Sequence, residues 1–330
     1  MGQNPTAHGY SSGMPLHEKA LIQRIRRQAP GGSSVVKGIG DDCAVLRVPP
    51  GHELLVTTDF TIEKVHFRRD WHRPDAVGRR CLARGLSDIA AMGGQARAAF
   101  LSLALASDVP QKWVDRFMTG LLSLADEFHV PLAGGDTAQS PVGIQADIVV
   151  VGSVPRGKSV LRSGARPGDQ IYVSGELGGA AAALARLAAE QSMGREASAL
   201  LRPHPRLAVG EWLRRRGLAS AMIDLSDGLS TDLAHICEES HVGAEIDAEA
   251  IPLARVGQQK KLVALDLALH GGEDYELLFT SSQNVPARVA GVRVTRIGRI
   301  TQASGMRLLD PNGRMRELQP QGWEHFRATF

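Results

Sequence analysis

The sequence is short of cysteine: Cys43, Cys81 and Cys237 are the three in 330 residues, odd in number and far apart. That excludes a disulfide framework and reads as reduced thiols in a cytoplasmic protein. It also leaves little for zinc, because His235, Cys237 and His241 stand at helical offsets that do not share a face. Long apolar runs are missing too. None approaches the roughly eighteen residues a membrane-spanning helix needs, and residues 1–14, Gly- and Ser-rich, lack a signal-peptide core and read as a flexible tail. Nor does one sign of charge dominate. With 38 basic and 35 acidic residues the net charge is +3, which gives no case for a nucleic-acid or membrane partner. What is present is apolar bulk, 43% of the residues, enough for two domains.

Periodicity supplies the elements. Leu16, Ala20, Leu21 and Ile25 recur at helical spacing behind Pro15. Strands are expected at 44–48 and 53–58. A long helix opens at Pro74, keeps Val77, Cys81, Leu82, Leu86 and Ile89 on one face, and stops at Gly93-Gly94. A strand at 98–106, a helix at 110–128, a short strand at 130–133 and a strand at 144–154 follow. The Val/Ile content of the last predicts burial on both sides. Residues 155–169, rich in Gly, Pro and Arg, form the expected linker between domains at 15–154 and 170–330. Beyond it the pattern restarts, with strands at 171–174, 221–225 and 275–280 and helices at 177–190, 205–216 and 229–239. Alternating strands and helices give an α/β or α+β class in two lobes.

The chemistry is in the carboxylates at strand ends. Asp41-Asp42 follow Gly38-Ile39-Gly40, Asp59 follows Thr57-Thr58, and Asp136 follows Gly134-Gly135. Asp224 and Asp227 close the strand at 221–225, Glu273-Asp274 precede the one at 275–280, and Asp88 sits at a helix end. If such acids converge, each pair repels by about 4 kcal/mol at 4 Å and an effective dielectric of 20. Few cationic side chains lie near them in sequence, so bound divalent cations are the natural compensation. All-oxygen ligands select hard ions, and Mg²⁺ held by carboxylates and substrate phosphates fits them. Acids with Mg²⁺ suggest phosphoryl transfer. Gly152–Ser159 matches the phosphate-binding P-loop pattern, but Gly164 and Pro167-Gly168 leave no room for the helix that must follow, and Pro155 removes an N–H from the cradle. The dinucleotide fingerprint lacks its third glycine at Cys43.

These motifs together resemble one family. Gly38-Ile39-Gly40-Asp41-Asp42-Cys43-Ala44, Thr57-Thr58-Asp59, Leu86-Ser87-Asp88-Ile89-Ala90-Ala91-Met92-Gly93, Gly134-Gly135-Asp136-Thr137, Ile223-Asp224-Leu225-Ser226-Asp227-Gly228-Leu229 and Gly271-Gly272-Glu273-Asp274-Tyr275-Glu276-Leu277 look like thiamine-monophosphate kinase. They stand in the family's order, over about residues 16–327. Single motifs recur in aminoimidazole ribonucleotide synthetase and selenophosphate synthetase; the full set does not. The resemblance implies an N-terminal lobe, with mixed sheet and helices, that pairs with its copy in a homodimer, and a C-terminal α/β lobe covering the cleft. It implies transfer of the ATP γ-phosphoryl group to thiamine monophosphate. Asp42, Thr57, Thr58, Asp59, Asp88, Asp136, Asp224 and Asp227 would hold several Mg²⁺ ions, with Asp42, Asp59, Asp88, Asp136 and Asp227 as the catalytic acids. Gly135, Asp136, Arg162 and Ser226 would meet ATP. His66, Glu273 and Trp323 would lie against thiamine monophosphate.

The chemistry agrees with that implication. A phosphate monoester has a second pKa of about 6, so the acceptor oxygen is already largely anionic at neutral pH and needs no general base. Direct in-line transfer without a phospho-enzyme is expected. Lys64 departs from the family, which usually has Gly there. Two rivals stay open: an ATP-dependent synthetase of the same superfamily acting on another small phosphorylated metabolite, and a non-catalytic nucleotide-binding regulator. The first has no need of the 271–277 motif, and the second would be expected to have lost acids.

Overall fold

The structure, a computed structural model, describes residues 18–29, 31–39, 43–191, 197–257 and 261–323. Asp42 and the tail at 1–14 lie outside the described residues. The chain divides into two compact units: one is made of the chain up to Arg47 with Thr58–Leu82 and Ala98–Val149, the other of Val48–Thr57, Ala83–Arg97 and Val150 onward.

In chain order the elements up to residue 155 are α1 (Glu18–Gln28), β1 (Val35–Lys37), β2 (Val45–Leu46), β3 (His52–Ile62), α2 (Pro74–Ala91), β4 (Gln95–Leu105), α3 (Gln111–Glu127), β5 (Leu132–Gln139) and β6 (Ile144–Pro155). The four long strands pair in the order β3-β6-β4-β5, and β4 runs parallel to β5 with Ser102 opposite Asp136. The apolar positions expected on α2 are buried, Val77, Cys81, Leu82, Leu86 and Ile89 all at 1% exposure or less. On α3 the residues Trp113, Phe117, Leu121 and Leu124 recur every three or four positions and are buried. Trp113 stacks on Phe67 and on Phe117, with ring centroids 6.1 and 5.4 Å apart. Several expectations need correction: β2 is confined to Val45–Leu46, and β3 runs past 58 to Ile62, so that Asp59 lies inside the strand rather than at its end. β6 is not buried on both sides along its first half: Ile144, Ala146 and Ile148 face the core while Gln145 is exposed and Asp147 half-exposed, the alternation of a one-sided strand. β5 also runs well past 133, so that Gly134, Gly135 and Asp136 lie inside the strand rather than after it.

The remaining elements are β7 (Gln170–Ser174), α4 (Gly179–Ala188), α5 (Ala197–Leu201), α6 (Leu207–Arg216), β8 (Ala221–Asp224), α7 (Leu229–Ser240), β9 (Gly243–Asp247), β10 (Arg255–Val256), β11 (Lys261–Leu262), α8 (Leu265–His270), β12 (Leu277–Ser281), β13 (Arg288–Val289), β14 (Val292–Thr301), β15 (Gly305–Leu309) and β16 (Met315–Glu317). An eight-stranded sheet runs β16-β15-β9-β14-β7-β12-β8, with β13 attached to β14. Its pairings are antiparallel except β9 with β15. Alternate residues feed two cores: Ile171, Val173, Ile223 and Leu278 pack with α7 and α8, while Tyr172, Met222, Leu277 and Phe279 pack with α6. Burial on both faces explains why these strands read as unbroken apolar runs. No helix lies between β6 and β7, so Gly152–Ser159 is the end of a strand and a turn, not a P-loop. Among the described residues no helix is long and apolar enough to cross a membrane.

Candidate active site

In the first unit the expected site residues Thr58 and Asp59 lie on β3, and Gly135 and Asp136 on β5. Gly135 has φ +146°, and a Cβ on it would lie 1.8 Å from the Leu101 carbonyl oxygen, so only glycine lets β5 pass β4 at this point. The next residue, Asp136, is exposed and accepts the Thr137 N–H at 2.8 Å. It borders a small cavity of 120 Å³, together with Ser102, Phe60 and Asp147. Asp147 accepts the Thr58 hydroxyl at 2.6 Å. Asp147 was not among the expected site residues; a charged residue inside the apolar run at 144–154 was the available signal. A larger cavity of 840 Å³ is lined by Ile22 and Ile25 of α1, by Gly38, Ile39 and Cys43, and by Asp136.

His66 occupies a separate tight loop. Its N–H bonds the Ile62 carbonyl at 2.8 Å, and the Lys64 N–H bonds the Phe67 carbonyl at 2.7 Å. The Ile62 N–H donates to His66 Nδ1 at 3.0 Å, so a neutral ring carries its proton on Nε2 and presents a donor there. Lys64 sits at φ +70°, the left-handed region where glycine is free of strain. Asp59, on β3, lines neither cavity.

In the second unit one cavity of 290 Å³ is lined by Thr57, Asp88, Arg162 and Asp224, with Leu55 and Met92 among its apolar walls. The Thr57 hydroxyl donates to Asp88. Asp224 is 5% exposed and accepts the hydroxyl of the fully buried Ser87 at 2.7 Å. The loop after β8 then turns so that the N–H groups of Asp227 and Gly228 both reach Asp232, at 3.2 and 3.1 Å. Burial pushes the Asp232 carboxyl well above the usual range, and Asp224 and Asp227 push it further. Sequence reasoning missed Asp232, whose position in the first turn of α7, reaching back to the loop, was its signal.

Two other segments meet that loop. The Glu273 N–H bonds the Ser226 carbonyl at 2.8 Å, and the Tyr275 N–H bonds the Leu225 carbonyl at 2.9 Å. Glu273 and Tyr275 hold φ of +68° and +51°, and the Arg84 guanidinium stands 3.8 Å from the Glu273 carboxylate. The Trp323 N–H bonds the Asp227 carbonyl at 3.1 Å. Thus Thr57, Asp88, Arg162 and Asp224 share one cavity, while Ser226, Asp227, Glu273 and Trp323 are tied together through backbone. Among the described residues no three His, Cys, Asp or Glu side chains form a ready group for a metal ion. The donors around the 290 Å³ cavity are nevertheless oxygens, from one hydroxyl and two carboxylates, and that chemistry suits a hard divalent cation. Cys237 is buried, and burial pushes its thiol up to about 12, unsuited to metal binding.

Comparison with known proteins decides the family. The AIR synthase related protein family matches through its N-terminal domain over residues 40–154 and its C-terminal domain over 166–310. The thiamine-monophosphate kinase of Escherichia coli strain K12 is 40% identical over 331 aligned positions, covering 95% of this chain and 99% of that protein. The chain belongs to the thiamine-monophosphate kinase family. Thiamine-monophosphate kinases are phosphotransferases, and their solved structures superpose on this fold. The crystal structure of thiamine-monophosphate kinase from Stenotrophomonas maltophilia K279a matches with a TM-score of 0.78 and 36% identity, covering 88% of this chain and 95% of that one. AaThiL complexed with AMPPCP and TMP matches with a TM-score of 0.74 and 32% identity, covering 93% and 96%.

Proposed function

We propose that this chain transfers the γ-phosphoryl group of ATP to thiamine monophosphate, giving thiamine diphosphate and ADP. The observation that carries the reading is the single cavity shared by Thr57, Asp88, Asp224 and Arg162: residues with hard oxygen donors and a basic residue lining one cavity, the pairing a bound triphosphate needs. The relative complexed with AMPPCP and TMP supports it.

Arg162, Ser226, Gly135 and Asp136 are assigned to ATP. His66, through the donor at Nε2, Glu273 and the exposed Trp323 ring are assigned to the acceptor. Asp42, Thr57, Thr58, Asp59, Asp88, Asp136, Asp224 and Asp227 are assigned to Mg²⁺. When bound, the ions supply charge neutralisation between two polyanions. The acceptor oxygen attacks the γ-phosphorus in line as ADP leaves, and since that oxygen is already anionic, Asp42, Asp59, Asp88, Asp136 and Asp227 serve catalysis through charge and position rather than as bases.

The domain division at 155–169, a cytoplasmic location and a homodimer belong to the same reading, with no nucleic-acid or membrane partner. Leu54, Val56 and Phe60 on β3, an edge strand, are 53%, 65% and 55% exposed at every second or fourth position, an apolar stripe that a second copy would cover.

The test is ADP release from Mg·ATP with thiamine monophosphate beside free thiamine, the product identified by chromatography. Turnover with the monophosphate alone, yielding the diphosphate, is expected. Turnover with thiamine alone overturns the acceptor. Silence with both, from folded protein, favours the synthetase reading, and isolation of a phosphorylated enzyme overturns direct transfer.

A further inference from the structure

The segment at 321–323 belongs to no strand or helix, yet each of its backbone N–H groups is taken by residues 227–231. Gln321 N–H reaches Ser230 Oγ at 3.3 Å, Gly322 N–H reaches Thr231 Oγ1 at 2.9 Å, and Trp323 N–H reaches the Asp227 carbonyl at 3.1 Å. Ser230 is fully buried, and its hydroxyl also meets His270 Nδ1 at 2.9 Å, which fixes it from the other side. The approach is close: a Cβ on Gly322 would lie 2.0 Å from the Asp227 carbonyl oxygen and 2.6 Å from Thr231 Oγ1. Trp323 is 52% exposed, and its backbone N–H is one of the groups these bonds hold. A large, half-exposed ring on a backbone held in this way is suited to stack on an aromatic cation.

We propose that Thr231, seconded by Ser230, is a positioning residue for the acceptor: it clasps 321–323 to the Asp227 loop and so sets where the Trp323 ring stands. Thr231 touches neither phosphate nor metal in this scheme; it acts through Trp323. The proposal rests on the reading of Trp323 as an acceptor contact, and the experiment separates the two.

Steady-state kinetics of the full chain are compared for Thr231→Val, Thr231→Ser and Trp323→Ala. Valine keeps the shape and removes the acceptor oxygen, leaving the Gly322 N–H without its partner, whereas serine keeps the oxygen. The net worth of one hydrogen bond corresponds to roughly a threefold to tenfold change. T231V should raise KM for thiamine monophosphate by that factor with kcat and KM for Mg·ATP unchanged, and T231S should stay near the parent. Parent-like T231V beside an impaired W323A overturns the clasp and leaves the acceptor reading standing. An equal rise in both KM values, or equal impairment in T231S, marks a general loosening and also overturns it. Parent-like W323A overturns the acceptor reading, and the clasp with it.

Discussion

The hydroxyl of Ser87, on α2, donates to Asp224 at the end of β8 across 2.7 Å, and both side chains are buried. The bond holds one carboxylate oxygen while the cavity beside it is shared with Asp88 and Thr57. Asp224→Asn keeps the shape and removes the charge, and a loss of turnover on the order of a hundredfold or more is expected, the scale for one preorganised electrostatic group. Ser87→Ala should cost less, about tenfold, because the charge remains and only its orientation is lost. The two should not add: the double variant should be no slower than D224N. ADP-release rates for the three proteins check this, and a multiplicative double variant would show that Ser87 acts elsewhere.

Arg206 grips Glu276 by both carboxylate oxygens, with Nε to Oε2 at 2.7 Å, and the Ser174 hydroxyl adds a third donor. Glu276 is 5% exposed. Removing one partner from such a pair leaves a buried charge, at a cost of about 3–5 kcal/mol. Arg206→Leu is therefore expected to lower the unfolding free energy by about that much, and adding Glu276→Gln should recover part of it, since the uncompensated charge is the main penalty. Urea denaturation of the single and double variants measures both quantities. A harmless R206L would mean that water replaces the guanidinium.

The sequence made the helices and the site residues legible for different reasons. On α2 and α3 the apolar spacing is uninterrupted, so both helices were readable to within a few residues. The larger part of the big sheet, made by β9 and β13–β16, was not. On β14 the buried residues Val294, Ile297 and Ile300 stand three apart, because the register shifts between Arg296 and Gly298 and breaks the alternation that marks a strand. The acids were legible because each stands within two residues of glycine or a small hydroxyl residue at the edge of an apolar run. Asp147 and Asp232 were not, one being hidden in an apolar run and the other in a helix. Neither periodicity nor spacing could have shown that Asp274 and Glu276, inside a motif, bond the start of α4 and Arg206 instead of a ligand.

Lys64 holds φ +70° in the His66 loop. An L-residue there carries roughly 1–2 kcal/mol of steric cost that glycine avoids, partly offset by glycine's greater freedom when unfolded. A β-branched residue is worse still. Stability should rank Lys64→Gly at or above the parent, with Lys64→Val below it, as read from urea midpoints. If valine matched lysine, the left-handed turn would be absent in solution.

Asp274 gives the protein a pH dependence with a definite sign. Burial pushes its carboxyl up to about 7, opposed by the N–H groups of Gly178 and Ala180, while Glu276 and Glu273 push it higher. In the unfolded chain an aspartate titrates at about 3.9. Between these values the native state holds a proton that the unfolded state has released, so this group's contribution to stability falls as pH rises from about 4 to about 7, and is level above. The slope is at most about 1.4 kcal/mol per pH unit. Asp274→Asn retains an oxygen for the Gly178 N–H, which Asp274 now accepts at 2.8 Å, and cannot ionise. Unfolding free energies of parent and D274N should therefore diverge steadily across that window, with the variant gaining relative to the parent as pH rises. Parallel curves would mean that Asp274 reaches solvent and titrates normally.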